Sequence, residues 1–457
     1  MHSMQGHEMT LGPLLSIAAV FSLFLWPGSL LAGWALQKID ADPTTAIVSF
    51  LEGDYIAYQK DSPIDHDILL YQITTGQITE VTQDTDYDDH LMALKDGRVW
   101  FISVKEDPNP NLIYGFNVQT RQTFLAGSFQ YAFEDYWGGA QGDHCVANIN
   151  QDWWRCRETG QPEQLTFSGY DIFKIHGGVS GDYLIWIGSS DYYHSEVYCT
   201  NMPAQATQPI TNDTDYHYSS LCVDGNDAIW VKHYSLEGEG AQIYHYTIPT
   251  GHTEIVGEIG GAYGVGDSDV ALEYPLLVWV KVTGSYPDAK YHLMTYDLQT
   301  RSTLTLKVSD LEIHSPRIRD NDILYSANHC PYETHDVDTC WELHHLDLST
   351  GASGRLTTYG RGNRIECSAV DSGILAFSQY NWRTHNNLYL GYKTKDPLCG
   401  VIAQTSCDEG LVNMGIVLLL PLLASAQYRI RMNGRNRKGS LIHQAIPYAV
   451  KQRRTMQ

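Results

Sequence analysis

The chain has no Gly-x-Ser-x-Gly nucleophile elbow, no phosphate-binding P-loop and no His-Glu-x-x-His motif. Sequence support for α/β-hydrolase, nucleoside-triphosphatase and zincin chemistry is therefore missing. None of its nine cysteines forms a Cys-x-x-Cys pair, which argues against the common structural zinc sites. Positive charge is scarce. Thirty Lys and Arg face 53 Asp and Glu, for a net charge of −23. The segment beyond Leu411 is basic and holds no acid, so the region before it is more acidic still. Such a surface repels phosphate backbones and excludes nucleic acid as a partner. It attracts cations and basic partners instead.

Apolar runs mark both ends. "LLSIAAVFSLFLW" spans Leu14–Trp26, Pro27-Gly28 breaks it, and Gly33-Trp34-Ala35 supplies a small-x-small pattern. This predicts a signal peptide over residues 1–35, although no Lys or Arg precedes the run; an uncleaved anchor is the alternative. "LVNMGIVLLLPLLASAQY" runs from Leu411 to Tyr428 without a charge and is followed by "RIRMNGRNRK". Eighteen residues barely cross a bilayer core of ~30 Å, and the basic flank places the C-terminus in the cytoplasm. The organisation read from this is a mature region over 36–398, a linker over 399–410, a transmembrane or sorting segment over 411–428 and a basic tail over 429–457. It predicts an extracytoplasmic protein, periplasmic or at the cell surface, anchored at its C-terminus. All nine cysteines lie between the apolar ends, as in an oxidising compartment. Cys145 with Cys156, Cys330 with Cys340 and Cys399 with Cys407 are the expected pairs, leaving Cys199, Cys222 and Cys367.

Between the ends, one unit recurs. A polar turn leads into an apolar strand carrying an aromatic: "GDYIAYQK", "DGRVWFISV", "GDYLIWIG", "GNDAIWVK", "YPLLVWVK", "DNDILYSA" and "SGILAFSQ", with "GDHCVANI" a weaker eighth. A hairpin follows, as in "DILLYQITTGQITEVT" and "QIYHYTIPTGHTEIV". Alternating apolar residues mark its strands, and Thr-Gly often supplies its turn. Units of four antiparallel strands, repeated at about 40–50 residues, predict an all-β propeller. Eight blades are expected, with seven as the alternative. The last unit lacks a fourth strand, which Leu36–Asp40 would supply.

"IYHYTIPTG", "MTYDLQTR" and "HHLDLSTG" resemble the second half of the TolB-like, or PD40, class of WD40-like propeller repeats. The first half is degraded: "HSPRIRDNDILYS" keeps Ser315-Pro316 but has no Pro-Asp-Gly. The resemblance covers roughly residues 45–395. It implies a fold and no particular activity, because such propellers host many tasks.

Strand alternation puts the tight a–b and c–d turns at one end of the ring and the long b–c and d–a loops at the other. Long, varied loops on a rigid scaffold mark the working face. An acidic turn falls there twice, as "VTQDTDYDDH" (Val81–His90) and "ITNDTDYHYS" (Ile210–Ser219). Asp84, Asp86 and Asp88 offer hard oxygen ligands for calcium, although the spacing is not that of an EF-hand. Asp213, Asp215 and His217 are the second copy's counterparts. The competing explanation is that Asp and Asn cap turns through their own backbone. Tyr192, Tyr193 and Trp382 are loop aromatics suited to stacking on sugars or packing on a protein.

His329, Glu333, His335, Asp336 and Asp338 crowd the Cys330–Cys340 loop, which reads foremost as a solvated loop. His344-His345 and Trp153-Trp154 lie on strands, so each pair splits between opposite faces. No residue is assigned a catalytic role. The expected function is a non-catalytic protein- or glycan-binding module tethered to the membrane. The alternative is a polysaccharide lyase or hydrolase with a metal-assisted site near the axis, drawing on His217, His233 and His314.

Overall fold

A computed structural model describes residues 34–40, 45–61, 66–82, 87–105, 110–130, 133–167, 173–189, 194–212, 216–234, 240–260, 270–285, 288–329, 340–358, 363–381 and 387–393. They form eight four-stranded antiparallel sheets. Seven are consecutive in sequence: blade 1 spans 45–80, blade 2 88–129, blade 3 133–164, blade 4 173–209, blade 5 217–259, blade 6 270–309 and blade 7 313–355. Blade 8 takes strands a to c from 363–393 and its fourth strand from Trp34–Asp40. The fold is an eight-bladed β-propeller, and its ring is closed by the two ends of the described chain.

The recurring aromatic explains the core. Strand b of each blade sits between two packed faces and reads as a nearly continuous apolar run; Asp322–Asn328, for example, is buried throughout. It carries a large buried ring: Tyr58, Trp100, Trp186, Trp230, Trp279, Tyr325 and Phe377 in blades 1, 2, 4, 5, 6, 7 and 8, with Phe101 a second one in blade 2. Blade 3 lacks an aromatic in "HCVANI", and Trp153 of its strand c is fully buried instead. Trp154, on the opposite face, packs edge-on against Phe129. Burying such a side chain contributes about 1.5–3 kcal/mol, so the rings are a major part of the core. Several outer strands d are short, as at Gln77–Glu80, Glu163–Gln164, Ala206–Pro209 and Ser353–Arg355, and Ala206–Pro209 is exposed throughout. That is how a propeller limits its free sheet edges.

The closing strand pairs antiparallel with strand c of blade 8, with Trp34 opposite Lys393 and Leu36 opposite Gly391. Gly391 lets the leucines pack close: a Cβ at this position would lie 2.7 Å from the Leu375 side chain and 2.9 Å from that of Leu36, and both would have to shift. Closure begins at Trp34, ahead of the boundary at residue 36 read from the sequence. Trp34 is buried and stacks edge-on against His345 of blade 7 at 5.1 Å.

At the a–b end, neighbouring blades are tied by a belt of polar contacts. The last residue of strand a, or the turn beside it, bonds the next blade's a–b turn. The Glu52 carboxylate accepts from the amides of Asp96 and Gly97 at 3.0 and 3.2 Å. Asp96 accepts from Gly142 N–H, and Gln141 from Gly181 N–H, each at 2.7 Å. Ser180 Oγ donates to the Gly225 carbonyl. Asp224 accepts from Tyr274 N–H at 2.8 Å. Arg319 Nε sits 3.4 Å from both Glu273 and Asp371. Asp371 accepts from Gly53 N–H at 2.7 Å, which returns the belt to blade 1.

The expected linker 399–410, the segment 411–428 and the tail 429–457 lie outside the described residues, as does the expected signal peptide up to residue 33. Among the described residues no helix is long and apolar enough to cross a membrane.

Candidate functional site

The first acidic turn enters strand a of blade 2, Asp88–Lys95. Strand alternation sends Asp88 and His90 to one face and Asp89 to the other. Asp89 is buried and accepts from Ser103 Oγ on the paired strand, so it serves the blade interior. Asp88 and His90 meet His66, the first residue of strand c of blade 1 (His66–Gln72). Asp88 Oδ1 contacts His66 Nδ1, and its Oδ2 lies 3.2 Å from His90 Nε2. The two imidazoles stand 5.5 Å apart, tilted by 37°. Each of the three side chains is partly exposed, between 32% and 43%. Among the described residues this is the one group of three or more His, Cys, Asp or Glu whose ligand atoms all fall within 4.8 Å of one another.

The second copy enters strand a of blade 5, His217–Asp224. His217 takes the place of Asp88 and faces His233 across the strand pair, ring centres 5.7 Å apart. Ser219, in the place of His90, lies 2.7 Å from His233 Nε2. The copies share one arrangement. A lysine from strand b, or the residue after it, sits over the tyrosine that ends the acidic turn: Lys105 over Tyr87 at 4.7 Å and Lys232 over Tyr216 at 3.7 Å. Lys232 is buried and Lys105 half-buried, so the attraction of each cation for its tyrosine face exceeds that of an exposed pair.

A third histidine group borders the same end in blade 7. His329 Nε2 and His344 Nε2 are 2.8 Å apart, so one donates and the other accepts. Burial, helped by Lys307, His329 and Arg355, pulls His344 down to about 3. His314 bonds Glu312 at 2.9 Å and stacks edge-on against Trp341. His345 leaves on the opposite face, as strand alternation requires, and bonds Asp322 at 2.6 Å. Asp227 and His245 repeat that buried pair in blade 5, also at 2.6 Å. Lys393 of blade 8 sits 2.8 Å from Asp322 and 2.9 Å from Asp347. These pairs stand where strands b and c meet the tight-turn end, and they tie the core together.

Asp84, Asp86, Asp213, Asp215, Tyr192, Tyr193 and Trp382 lie outside the described residues, as do Glu333, His335, Asp336 and Asp338. Asp88 and His217, the remaining acidic-turn candidates, are brought to the same end of the ring but onto different blades. Cys145 and Cys156 are directly opposite on strands b and c of blade 3, yet both are free and buried thiols; this corrects the expected disulfide. Burial and the neighbouring sulfur push the Cys145 thiol well up, which holds that thiol in the protonated, unreactive form. Cys199 and Cys222 are free as well. Cys340 is disulfide-bonded, and its expected partner Cys330 lies outside the described residues, with Cys399 and Cys407.

The sequence reading passed over His66 and His90. The Asp88-x-His90 alternation was available as a signal. His66 carries none, because it reaches Asp88 only when blade 1 docks on blade 2.

No protein-family model and no curated protein matches the chain. Solved propeller structures do. The dipeptidyl peptidase 4 of Porphyromonas gingivalis is 9% identical with a TM-score of 0.51, over 75% of this chain and 59% of that one. A tricorn protease is 11% identical with a TM-score of 0.40, over 73% of this chain and 36% of that one. An oligogalacturonate lyase in complex with manganese is 10% identical with a TM-score of 0.45, over 79% of this chain and 94% of that one. The chain thus spans less than two thirds of the length of these peptidases. At such identities the likeness is one of fold alone.

Proposed function

We propose that the chain is an exported, membrane-tethered propeller of the TolB-like type that holds a protein or glycan ligand on its b–c/d–a face without transforming it. The supporting observation is the contrast between the two ends. The a–b end is laced by the belt from Glu52 round to Asp371. The other end carries the long loops, both acidic turns and the paired Lys-over-Tyr contacts. A rigid ring whose other end carries the long, varied connections suits recognition. The net charge of −23 favours a ligand with basic groups.

The test is binding by the full-length chain to a glycan array and to envelope proteins, comparing wild type with a D86N/D215N variant in the two acidic turns and with E52Q at the belt. Ligand lost in the first variant and kept in the second supports the reading. Ligand kept by both, or consumed by the wild type with release of cleavage products, overturns it. The second outcome would favour the lyase or hydrolase alternative, for which His66, Asp88 and His90 are the described candidates.

A further inference from the structure

We propose that His66, Asp88 and His90 bind one divalent transition-metal ion of the zinc class at the junction of blades 1 and 2. Two imidazoles and one carboxylate are borderline donors suited to zinc and its neighbours, whereas calcium takes six to eight oxygens. The spacing fits. Ligands about 2.0–2.1 Å from a tetrahedral zinc lie about 3.3 Å from one another. His90 Nε2 and Asp88 Oδ2 are 3.2 Å apart, and all three ligand atoms fall within 4.8 Å.

The scaffold holds the donors before the ion arrives. Asp88 and His90 pair with Val104 and Ile102 inside blade 2, and His66 pairs with Asp61 inside blade 1. Each donor therefore rides on a hydrogen-bonded strand. The partial exposure of all three side chains is compatible with an open coordination position. Without an ion the trio is a carboxylate shared by two imidazoles. Such half-exposed contacts contribute little stability, so the convergence of three donors from two blades needs another reason.

The second copy of the acidic turn acts as an internal control. His217 replaces Asp88 and Ser219 replaces His90, so the carboxylate and one imidazole are lost. The site belongs to the first copy alone. The inference goes beyond ligand recognition, and a metal titration needs no partner, so the two stand or fall separately.

The experiment is calorimetric titration of the chelator-treated full-length chain with zinc chloride, followed by the absorption spectrum with cobalt. One zinc equivalent is expected, undisturbed by excess calcium, together with visible cobalt bands and no thiolate charge-transfer band. H66A and H90A, and the nearly isosteric D88N in case either fails to fold, should each weaken zinc by at least about 10–100-fold, the loss seen when only a hydrogen bond to a ligand is removed. Wild type that takes up no zinc, variants that titrate as wild type, or a thiolate-dominated cobalt spectrum would each overturn the proposal.

Discussion

The backbone N–H of Gly53 donates to Asp371 Oδ2 at 2.7 Å across 318 positions of sequence. This contact joins the first blade to the last. Gly53 has a positive φ of 55°, at home in the tight a–b turn that presents its amide. Asp371 also faces Arg319 of blade 7, so one carboxylate serves three blades.

Replacing Asp371 should therefore loosen the ring where it closes. A hydrogen bond to a charged group is worth about 1.5–3 kcal/mol, and D371A is expected to cost about that much. D371N keeps an acceptor and should cost less. Denaturant melts of the full-length chain measure the difference. Unchanged midpoints for both variants would show that the belt does not bear on stability.

The closing strand makes a sharper prediction at Trp34. Its ring is buried against His345, and its indole nitrogen has no hydrogen-bond partner among the described residues. W34A is expected to lose about 3–5 kcal/mol as a large core truncation. W34F gives up no hydrogen bond and should lose clearly less. Thermal melting distinguishes them. If W34A melts with wild type, residues 34 and 35 are dispensable and the ring closes from residue 36, as the sequence suggested.

His344 predicts a pH dependence. Burial, seconded by Lys307, pulls it down to about 3, against 6.5 for an unperturbed imidazole. The native state keeps it neutral while the unfolded chain binds a proton. Its stabilisation is therefore complete above pH 6.5 and lost as pH falls from there toward 3. His329, lowered chiefly by burial, adds in the same direction. Stability should drop by up to about 1.4 kcal/mol per pH unit per proton across this window. H344F keeps a ring and should flatten the slope; a slope equal to wild type would count against it.

The thiols predict a labelling pattern. Cys145 is pushed well up and Cys199 up to about 11, both by burial first. Iodoacetamide should leave Cys145, Cys156 and Cys199 unmodified in the native protein and reach all three after denaturation, as read by mass spectrometry. A linked Cys145–Cys156 peptide under non-reducing conditions would restore the disulfide expected from sequence.

The repeat alone determined the all-β propeller, favoured eight units over seven and pointed to the segment that closes the ring. Each blade is a local object: the alternation in "QIYHYTIPTGHTEIV" and the aromatic in "IWV" fix strands, turns and buried face within some forty residues. Local pattern also split His344 from His345, since a strand can do nothing else. Tertiary structure decided what the blades make together. His66 meets Asp88, Lys393 reaches Asp322, and Asp371 finds Gly53 only because neighbouring blades dock at fixed angles around a closed ring. Those distances depend on docking between sheets, which leaves no period in the sequence.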